Sequence, residues 1–335
     1  MPIDLPLLWA VIIATAVAGY VVMDGFDLGV GMLFTRYPDR RHRDVLMNTI
    51  APFWDGNETW LVLGGGGLFA AFPLAFAIIM PAVYAPVIAM LLGLVLRGVA
   101  FEFRWRTERG RFLWDWAFAG GSFLAAFAQG VILGAILQGI NAAGRAYAGG
   151  WWDWLTPFSL LTGLAVVSGY MLLGATWLIM RTTGPIQAKA RSLSRPGLFT
   201  TIGFIIAVSL ATPFLDGAYF DRWLVWPGII FALAVPLAVA AAGLALLRAL
   251  KSQVQDWKPF VLTLALFGLN FFGLGVSMFP FIVPPAITIS AAAAPEKSLI
   301  FMLWGVSILL PVIIGYTAYA YWVFRGKVDE KTGYH

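Results

Sequence analysis

An all-α integral membrane protein of about nine transmembrane helices is the fold this sequence predicts, on three observations. Of its 335 residues, 60% are hydrophobic and only 12% are charged, with a mean hydropathy of +0.83. A soluble domain carries about 25% charged residues, so this chain lacks the polar surface to face water on every side. Apolar stretches of about 20 residues, enough to cross a hydrocarbon core as helices, recur along the whole chain. Basic residues gather in every other segment between them.

The stretches run over 5–34, 47–72, 75–103, 113–139, 157–180, 197–215, 224–248, 258–282 and 298–324. The first has no basic residues ahead of it and no small-residue cleavage site behind it, which predicts a retained helix and not a signal peptide. Phe72 and Pro73 leave only a tight turn between the second and third spans. Arg36, Arg40, Arg41 and Arg43 lie in segment 35–46, and Arg104, Arg106, Arg109 and Arg111 in 104–112. Arg181, Lys189, Arg191 and Arg195 lie in 181–196, Arg248, Lys251 and Lys258 in 248–258, and Arg325, Lys327 and Lys331 in the tail. Against these eighteen, the N-terminus and the four intervening segments hold only Arg145, Arg222 and Lys297. Strict alternation predicts an odd number of spans, an N-terminus outside and a C-terminus in the cytoplasm. Trp151, Trp152, Trp154, Trp223 and Trp226 fall at the outer interface, and Trp105, Trp114, Trp116, Trp257 and Trp322 at the inner one, as an aromatic belt requires.

Ala16–Val22 reads AVAGYVV and Val166–Leu172 reads VVSGYML. The first and fifth spans run in the same direction, so this match predicts a parallel duplication of a four-helix unit, although seven similar residues are also within reach of chance. The corresponding division is 1–140 as a first four-helix bundle holding the charges, 141–282 as a second, and 283–335 as a ninth helix with a cytoplasmic tail.

Several chemistries are disfavoured. Without cysteine there are no disulfides, thiolate metal sites or iron–sulfur clusters. The net charge of +5 resides in segments that face the cytoplasm, so nucleic acid is not an expected partner. Gly64–Gly67 lies in an apolar span with no Lys-Ser/Thr after it and is no phosphate loop. The stretch DGFD at 24–27 lacks the spacing and closing Glu of a calcium loop. The pairs Gly25/Gly29 and Gly130/Gly134 read as close helix contacts. Histidine occurs only at 42 and 335, outside every span, and haem held without histidine is uncommon. No haem or metal is therefore expected on this chain.

Charges within spans cost roughly 2.5–3.5 kcal/mol each on insertion scales, so each asks for a reason. They concentrate in the first three spans, as Asp24 and Asp27, Asp55 and Glu58, then Arg97 and Glu102. Each acidic pair is spaced i, i+3 and shares a helix face. A rise of about 1.5 Å per residue places all six in the cytoplasmic half, around one cluster. Asp27, Glu102 and Asp115 read equally well as helix-end residues in the headgroup region. Asp55 and Glu58 precede an apolar run to Phe72, which leaves a functional role or a structural ion pair with Arg97.

The run Met23-Asp24-Gly25-Phe26-Asp27-Leu28-Gly29-Val30-Gly31 and the run Asn48-Thr49-Ile50-Ala51-Pro52-Phe53-Trp54-Asp55-Gly56-Asn57-Glu58-Thr59-Trp60 resemble subunit II of the cytochrome bd quinol oxidases. So do Arg97-Gly98-Val99-Ala100-Phe101-Glu102-Phe103-Arg104 and Met278-Phe279-Pro280-Phe281, and the length resembles that of the short, cyanide-insensitive type. The resemblance implies two four-helix bundles plus a peripheral helix in the bacterial cytoplasmic membrane. It implies a heterodimer with subunit I, which holds haems b and d and the site of quinol oxidation, and in some members a small single-helix subunit. The complex would reduce oxygen to water with ubiquinol or menaquinol, taking protons from the cytoplasm and so charging the membrane. Carried over by motif, Asp55 belongs to the proton path, with Glu58, Asp24, Asp27, Arg97 and Glu102 around it and Trp54, Gly56, Asn57 and Trp60 as supporting motif residues. Glu58 is Gln in some relatives and ranks below Asp55; some relatives have Asp at the position of Glu102. Some members hold a tightly bound quinone in this subunit, in a pocket these residues do not place.

Two other classes fit the same charges. A secondary transporter would place carboxylates at depth, commonly with inverted repeats and broken helices, whereas the repeat here is parallel. A purely structural membrane subunit would use them as an ion-pair network. Orientation is directly testable, because the chain has no native cysteine. A membrane-impermeant thiol reagent on intact cells is expected to label Gly150→Cys and spare Arg41→Cys; the reverse pattern would refute the topology.

Overall fold

The computed structural model describes residues 4–226, 228–252 and 254–328; Lys331 of the basic tail and His335 lie outside them. α1 is Leu5–Leu33, capped by the Asp4 carboxylate, which accepts from the Leu7 amide, and a 3₁₀ turn Phe34–Arg36 follows it. α2 is Arg40–Ile50, α3 Trp54–Ala71, α4 Pro73–Ala82, α5 Tyr84–Arg106 and α6 Arg111–Leu137. A short hairpin, β1 (Ala142–Ala143) and β2 (Ala146–Tyr147), leads to α7, Pro157–Arg181. A capping box at Thr156 and Ser159 starts α7. α8 is Gly184–Ala211, α9 Gly217–Leu224, α10 Gly228–Lys251 and α11 Lys258–Met278. A second hairpin, β3 (Phe281–Val283) and β4 (Ile287–Thr288), passes through α12 (Ile289–Ala292) to α13, Glu296–Val323. Among the described residues eight helices are long and apolar enough to cross a membrane, and a ninth candidate is the bent pair α3 and α4.

Three expected boundaries move, each for a local reason. The second span was expected from residue 47, but α2 ends at Ile50 and α3 begins only at Trp54. Pro52 lies in the turn between them, and Val45, Leu46, Met47 and Ile50 of α2 are buried in the core. The third span was expected from residue 75, but α4 turns through 120° from α3 at Phe72. Pro73 has no amide proton and disfavours helical backbone in the residue before it, so Phe72 leaves the helix at φ −131° and ψ 62°. The crossing segment is α5 alone, and its 23 residues suffice. Segment 181–196 is not a loop: α8 starts at Gly184 and runs through Pro196 into the apolar span.

The basic segments come together in the tertiary structure. Every basic segment is tied to another at one end of the bundle. Arg104 and Arg111 pair with Asp44, and Arg43 and Arg104 with Asp115. The Tyr37 hydroxyl donates to the Ile186 carbonyl, and Arg191 and Lys327 both reach Asp256. Arg181 donates to the Phe324 carbonyl and accepts from the Val328 amide at its own carbonyl. Burial alone would raise the Asp256 pKa; hydrogen bonds from Lys327 and Gln187 and the charges of Lys327 and Arg191 outweigh it and hold the carboxyl below its ordinary range. The opposite end is closed by hydrogen bonds to backbone, from Trp9 to the Leu299 carbonyl, from the Ala294 amide to Ala71 and from Arg222 to the Val276 and Ser277 carbonyls.

α1 and α7 form the central seam, flanked by α3 and α6 on one side and α8 and α11 on the other. Small residues permit this approach. A Cβ on Gly29 would collide with the Tyr170 carbonyl, and one on Gly174 with the backbone of Gly29 and Val30. Gly130 and Gly134 meet α7 in the same way, at Thr162 and Ser159. We expect Gly29→Val to part this seam at a cost of about 3 kcal/mol or more, since backbone cannot yield as a side chain does. A fall in the thermal unfolding midpoint and yield would show it, while Gly203→Ala, with nothing within 4 Å of the added atom, should leave both unchanged. An unaltered midpoint in Gly29→Val would contradict the packing.

Candidate functional site: a buried ionic cluster

The site is assembled from α1, α3 and α5. Arg97 lies nine residues before the end of α5, or roughly 14 Å from its basic end at about 1.5 Å per residue. Its guanidinium is fully buried and donates to two carboxylates: Nη1 to Asp24 Oδ1 at 2.5 Å and Nη2 to Glu58 Oε2 at 3.2 Å. Asp24 and Asp27 are also fully buried, one turn apart on α1. Asp27 is held differently, accepting at Oδ2 from Asn57 Nδ2 at 2.7 Å. The carbonyl of the same Asn57 accepts from the Tyr321 hydroxyl of α13 at 2.9 Å. One amide thus ties α1, α3 and α13 together.

A second branch leaves Asp24 toward α6 and α7. The Tyr20 hydroxyl approaches the Asp24 carboxylate and accepts from Gln129 Nε2 at 2.7 Å, while the Tyr170 hydroxyl donates to Gln129 Oε1 at 2.7 Å. The repeated Gly-Tyr pairs of the sequence therefore deliver their two tyrosines to the two ends of one glutamine. Asp24 Oδ2, Asp27 Oδ1 and Arg97 Nε have no direct hydrogen-bond partner among the described residues.

The motif residues around the cluster pack as a shell. Trp54 stacks on Phe101 with ring centroids 4.9 Å apart, and the Arg97 guanidinium lies 6.0 Å from the Trp54 ring. Trp60 covers Gly19 and is buried with Ala16 and Tyr20. Gly56 brings α3 against Tyr316 of α13.

Six charges in one cluster was the expectation, and the structure brings four together. Asp55 is exposed on the outer face of α3, with no hydrogen bond or ion pair among the described residues. At about 100° per residue, Asp55 sits about 200° around the helix from Asn57, the residue that faces α1. Glu58, about 60° from Asp55, lies at the edge, with its side chain 29% exposed. Glu102 is exposed at 65% and meets only Arg106, 3.9 Å away; it lies one turn and a residue beyond Arg97 and faces out. Asp115, an alternative helix-end residue, is an integral acceptor for Arg43 and Arg104.

Sequence reasoning missed Tyr20, Gln129, Tyr170, Tyr321 and the fully buried Arg104. The polar Gln129 inside an apolar span was the available signal for the tyrosine branch. Arg104 had none, since a basic residue at a span end ordinarily reads as a loop charge. Arg181, likewise counted with a loop, lies 5% exposed between Phe53 and Trp177. Among the described residues no group of three or more His, Cys, Asp or Glu is arranged to hold a metal ion.

The comparisons with known proteins agree over nearly the whole chain. Residues 5–324 match the family described as cytochrome bd terminal oxidase subunit II. The chain is 31% identical over 365 residues to cytochrome bd-I ubiquinol oxidase subunit 2 of Escherichia coli (strain K12), covering 98% of this chain and 96% of that one. It is 32% identical over 338 residues to cytochrome bd ubiquinol oxidase subunit 2 of Bacillus subtilis (strain 168), covering 97% of each. The fold matches a chain in the structure of bd oxidase from Geobacillus thermodenitrificans with a TM-score of 0.79, over 96% of this chain and 99% of that one at 16% identity. A helical protein with this many spans, with the charge-bearing motifs on its first three crossing helices and matched from end to end, belongs to the cytochrome bd terminal oxidase subunit II family.

Proposed function

We propose that this chain is the haem-free subunit II of a bd-type quinol:oxygen oxidoreductase of the bacterial cytoplasmic membrane. In this reading it supports a haem-bearing subunit I and supplies part of the route that carries cytoplasmic protons to the site of oxygen reduction. The observation that carries the reading is the position of Asp55. Asp55 stands exposed in the first turn of α3, one turn before Glu58, where a carboxylate turned to lipid is costly, and this chain offers it no counter-charge. The same side is shaped for another protein. Gly65 and Gly66 of α3 have no atom within 4 Å of an added Cβ, which leaves room for a close helix approach. On α13, Leu299 is the sole buried residue among those described. A second subunit covering this face would remove Asp55 from lipid and give it a route to follow.

The chain's own residues then divide the work. Asp55 takes and releases the proton. Glu58 reaches the surface beside it and, through Arg97, joins that surface to the buried set. Arg97, fixed by Asp24, keeps a positive charge near the route and lowers the cost of a carboxylate there. Asn57 and Gln129 are amides that do not titrate at physiological pH, so they hold Asp27, Tyr321 and the two tyrosines in place. When bound in subunit I, haems b and d would carry electrons from ubiquinol or menaquinol to oxygen. The division at 1–140, 141–282 and 283–335 accompanies this reading, with the last segment, α13, beside the partner.

Asn matches Asp in shape but carries no proton. We expect Asp55→Asn to leave assembly and haem content near normal while oxygen consumption falls at least about tenfold, close to 1.4 kcal/mol on the barrier. Asp55→Glu is expected to keep more activity. The isolated chain is expected to show no haem absorption while its native complex does. Full turnover in Asp55→Asn would place the protons elsewhere, loss of haem or partner would make Asp55 structural, and stoichiometric haem on the isolated chain would overturn the division of labour.

A further inference from the structure

A cavity of about 190 Å³ opens at the basic end of the bundle, between the 3₁₀ turn after α1 and the first turns of α6. Thr35, Arg43, Phe112, Asp115 and Trp116 line it. None of them belongs to the ionic cluster or to the Asp55 face. We infer that this cavity binds the phosphate-bearing headgroup of an anionic phospholipid from the cytoplasmic leaflet.

Charge comes first. Each oxygen of Asp115 already accepts from a guanidinium, Oδ1 from Arg104 at 2.6 Å and Oδ2 from Arg43 at 2.7 Å, so the carboxylate's charge is matched within the set. Arg104 also holds Asp44 at 2.7 Å, which Arg111 shares at 2.9 Å. Three guanidiniums thus face two carboxylates, and the set carries one positive charge in excess. Arg43 is the member that reaches the cavity. Its Nε donates to the Tyr37 carbonyl and its Nη1 to Asp115, both at 2.7 Å, while Nη2 makes no hydrogen bond among the described residues. The guanidinium is therefore held in a fixed orientation with one fork unused, a geometry suited to a phosphate oxygen. The exposed Thr35 hydroxyl is a second donor on the same wall.

Shape and depth agree with charge. Phe112 and Trp116 are 61% and 64% exposed and form an apolar mouth beside the polar wall. Aromatic rings at a span end sit at headgroup level, and basic pockets between helices on the cytoplasmic side suit anionic headgroups. The volume is several times the roughly 30 Å³ share of one water, enough for a phosphate and its glycerol ester, with the acyl chains leaving over the two rings.

The test is native mass spectrometry of the delipidated intact complex, titrated with phosphatidylglycerol, phosphatidylcholine or inorganic phosphate. One tightly retained phosphatidylglycerol is expected, weakened about tenfold by Arg43→Gln, the loss of one charge-assisted contact. Because that change also releases Asp115, Thr35→Phe, which fills the cavity and leaves Arg43 intact, is expected to weaken retention comparably. Equal retention by wild type and both variants would overturn the proposal. So would equal retention of phosphatidylcholine, or displacement of the lipid by inorganic phosphate at comparable concentration, which would make the site one for free phosphate.

Discussion

A guanidinium closed off from water in the middle of an apolar bundle has to find its counter-charges within hydrogen-bond reach. Arg97 finds one on α1 and one on α3 while itself standing on α5. Removing one member of such a set leaves a buried, uncompensated charge and costs roughly 3–5 kcal/mol, so the pairing fixes the rotation and height of three helices relative to one another. The rest of the site follows from that registration. With Asp24 committed to Arg97, Asp27 falls one turn lower, opposite Asn57, and Tyr20 falls one turn higher, opposite Gln129. α7 joins through Tyr170 and α13 through Tyr321.

The basic end repeats the arrangement nearer the headgroups. Arg104 is as buried as Arg97 and holds Asp44 and Asp115, which ties α2 and α6 to α5. Its ring neighbours, Phe34 and Trp105, lie 5.1 and 5.3 Å from the guanidinium, so desolvation is offset by charge on some sides and by aromatic faces on others. Asp256 does the same for the more exposed elements, gathering Arg191 of α8 and Lys327 of the tail. The opposite end has no such ion pairs among the described residues and depends on backbone hydrogen bonds, two short hairpins and Arg222, which donates to the Val276 and Ser277 carbonyls. The asymmetry of basic residues between the two ends of the bundle is therefore also an asymmetry in how those ends are held.

Much of this was legible in the sequence, for physical reasons that are easy to name. Lipid forces spans to be long and apolar, so their number and order were readable, and the segments rich in basic residues do meet one another at one end of the bundle. Two boundaries moved where proline acted, at Pro52 and Pro73, because hydropathy averages across a break that backbone geometry imposes; the third moved because α8 continues through its polar first turns and Pro196. The cluster was legible as a set of charges but not as a set of directions. A spacing of i, i+3 places Asp55 and Glu58 on neighbouring sides of α3, and only packing shows that Asn57 takes the inward position. Gln129 stood out as a polar residue in an apolar span, but its partners Tyr20 and Tyr170 became visible only when three helices brought them together.

The central claim is that Asp24 and Arg97 act as one unit that registers the bundle. A double-mutant cycle on the assembled protein tests it most directly, using Asp24→Leu, Arg97→Leu and the two combined, with the thermal unfolding midpoint in a fixed detergent as readout. Each single change should lower the midpoint markedly, because Arg97→Leu strands the buried Asp24 and Asp24→Leu leaves Arg97 only its longer contact to Glu58, and the combined variant should recover most of that loss. Losses that simply add in the combined variant would contradict the account and show that the two residues stabilise the protein independently.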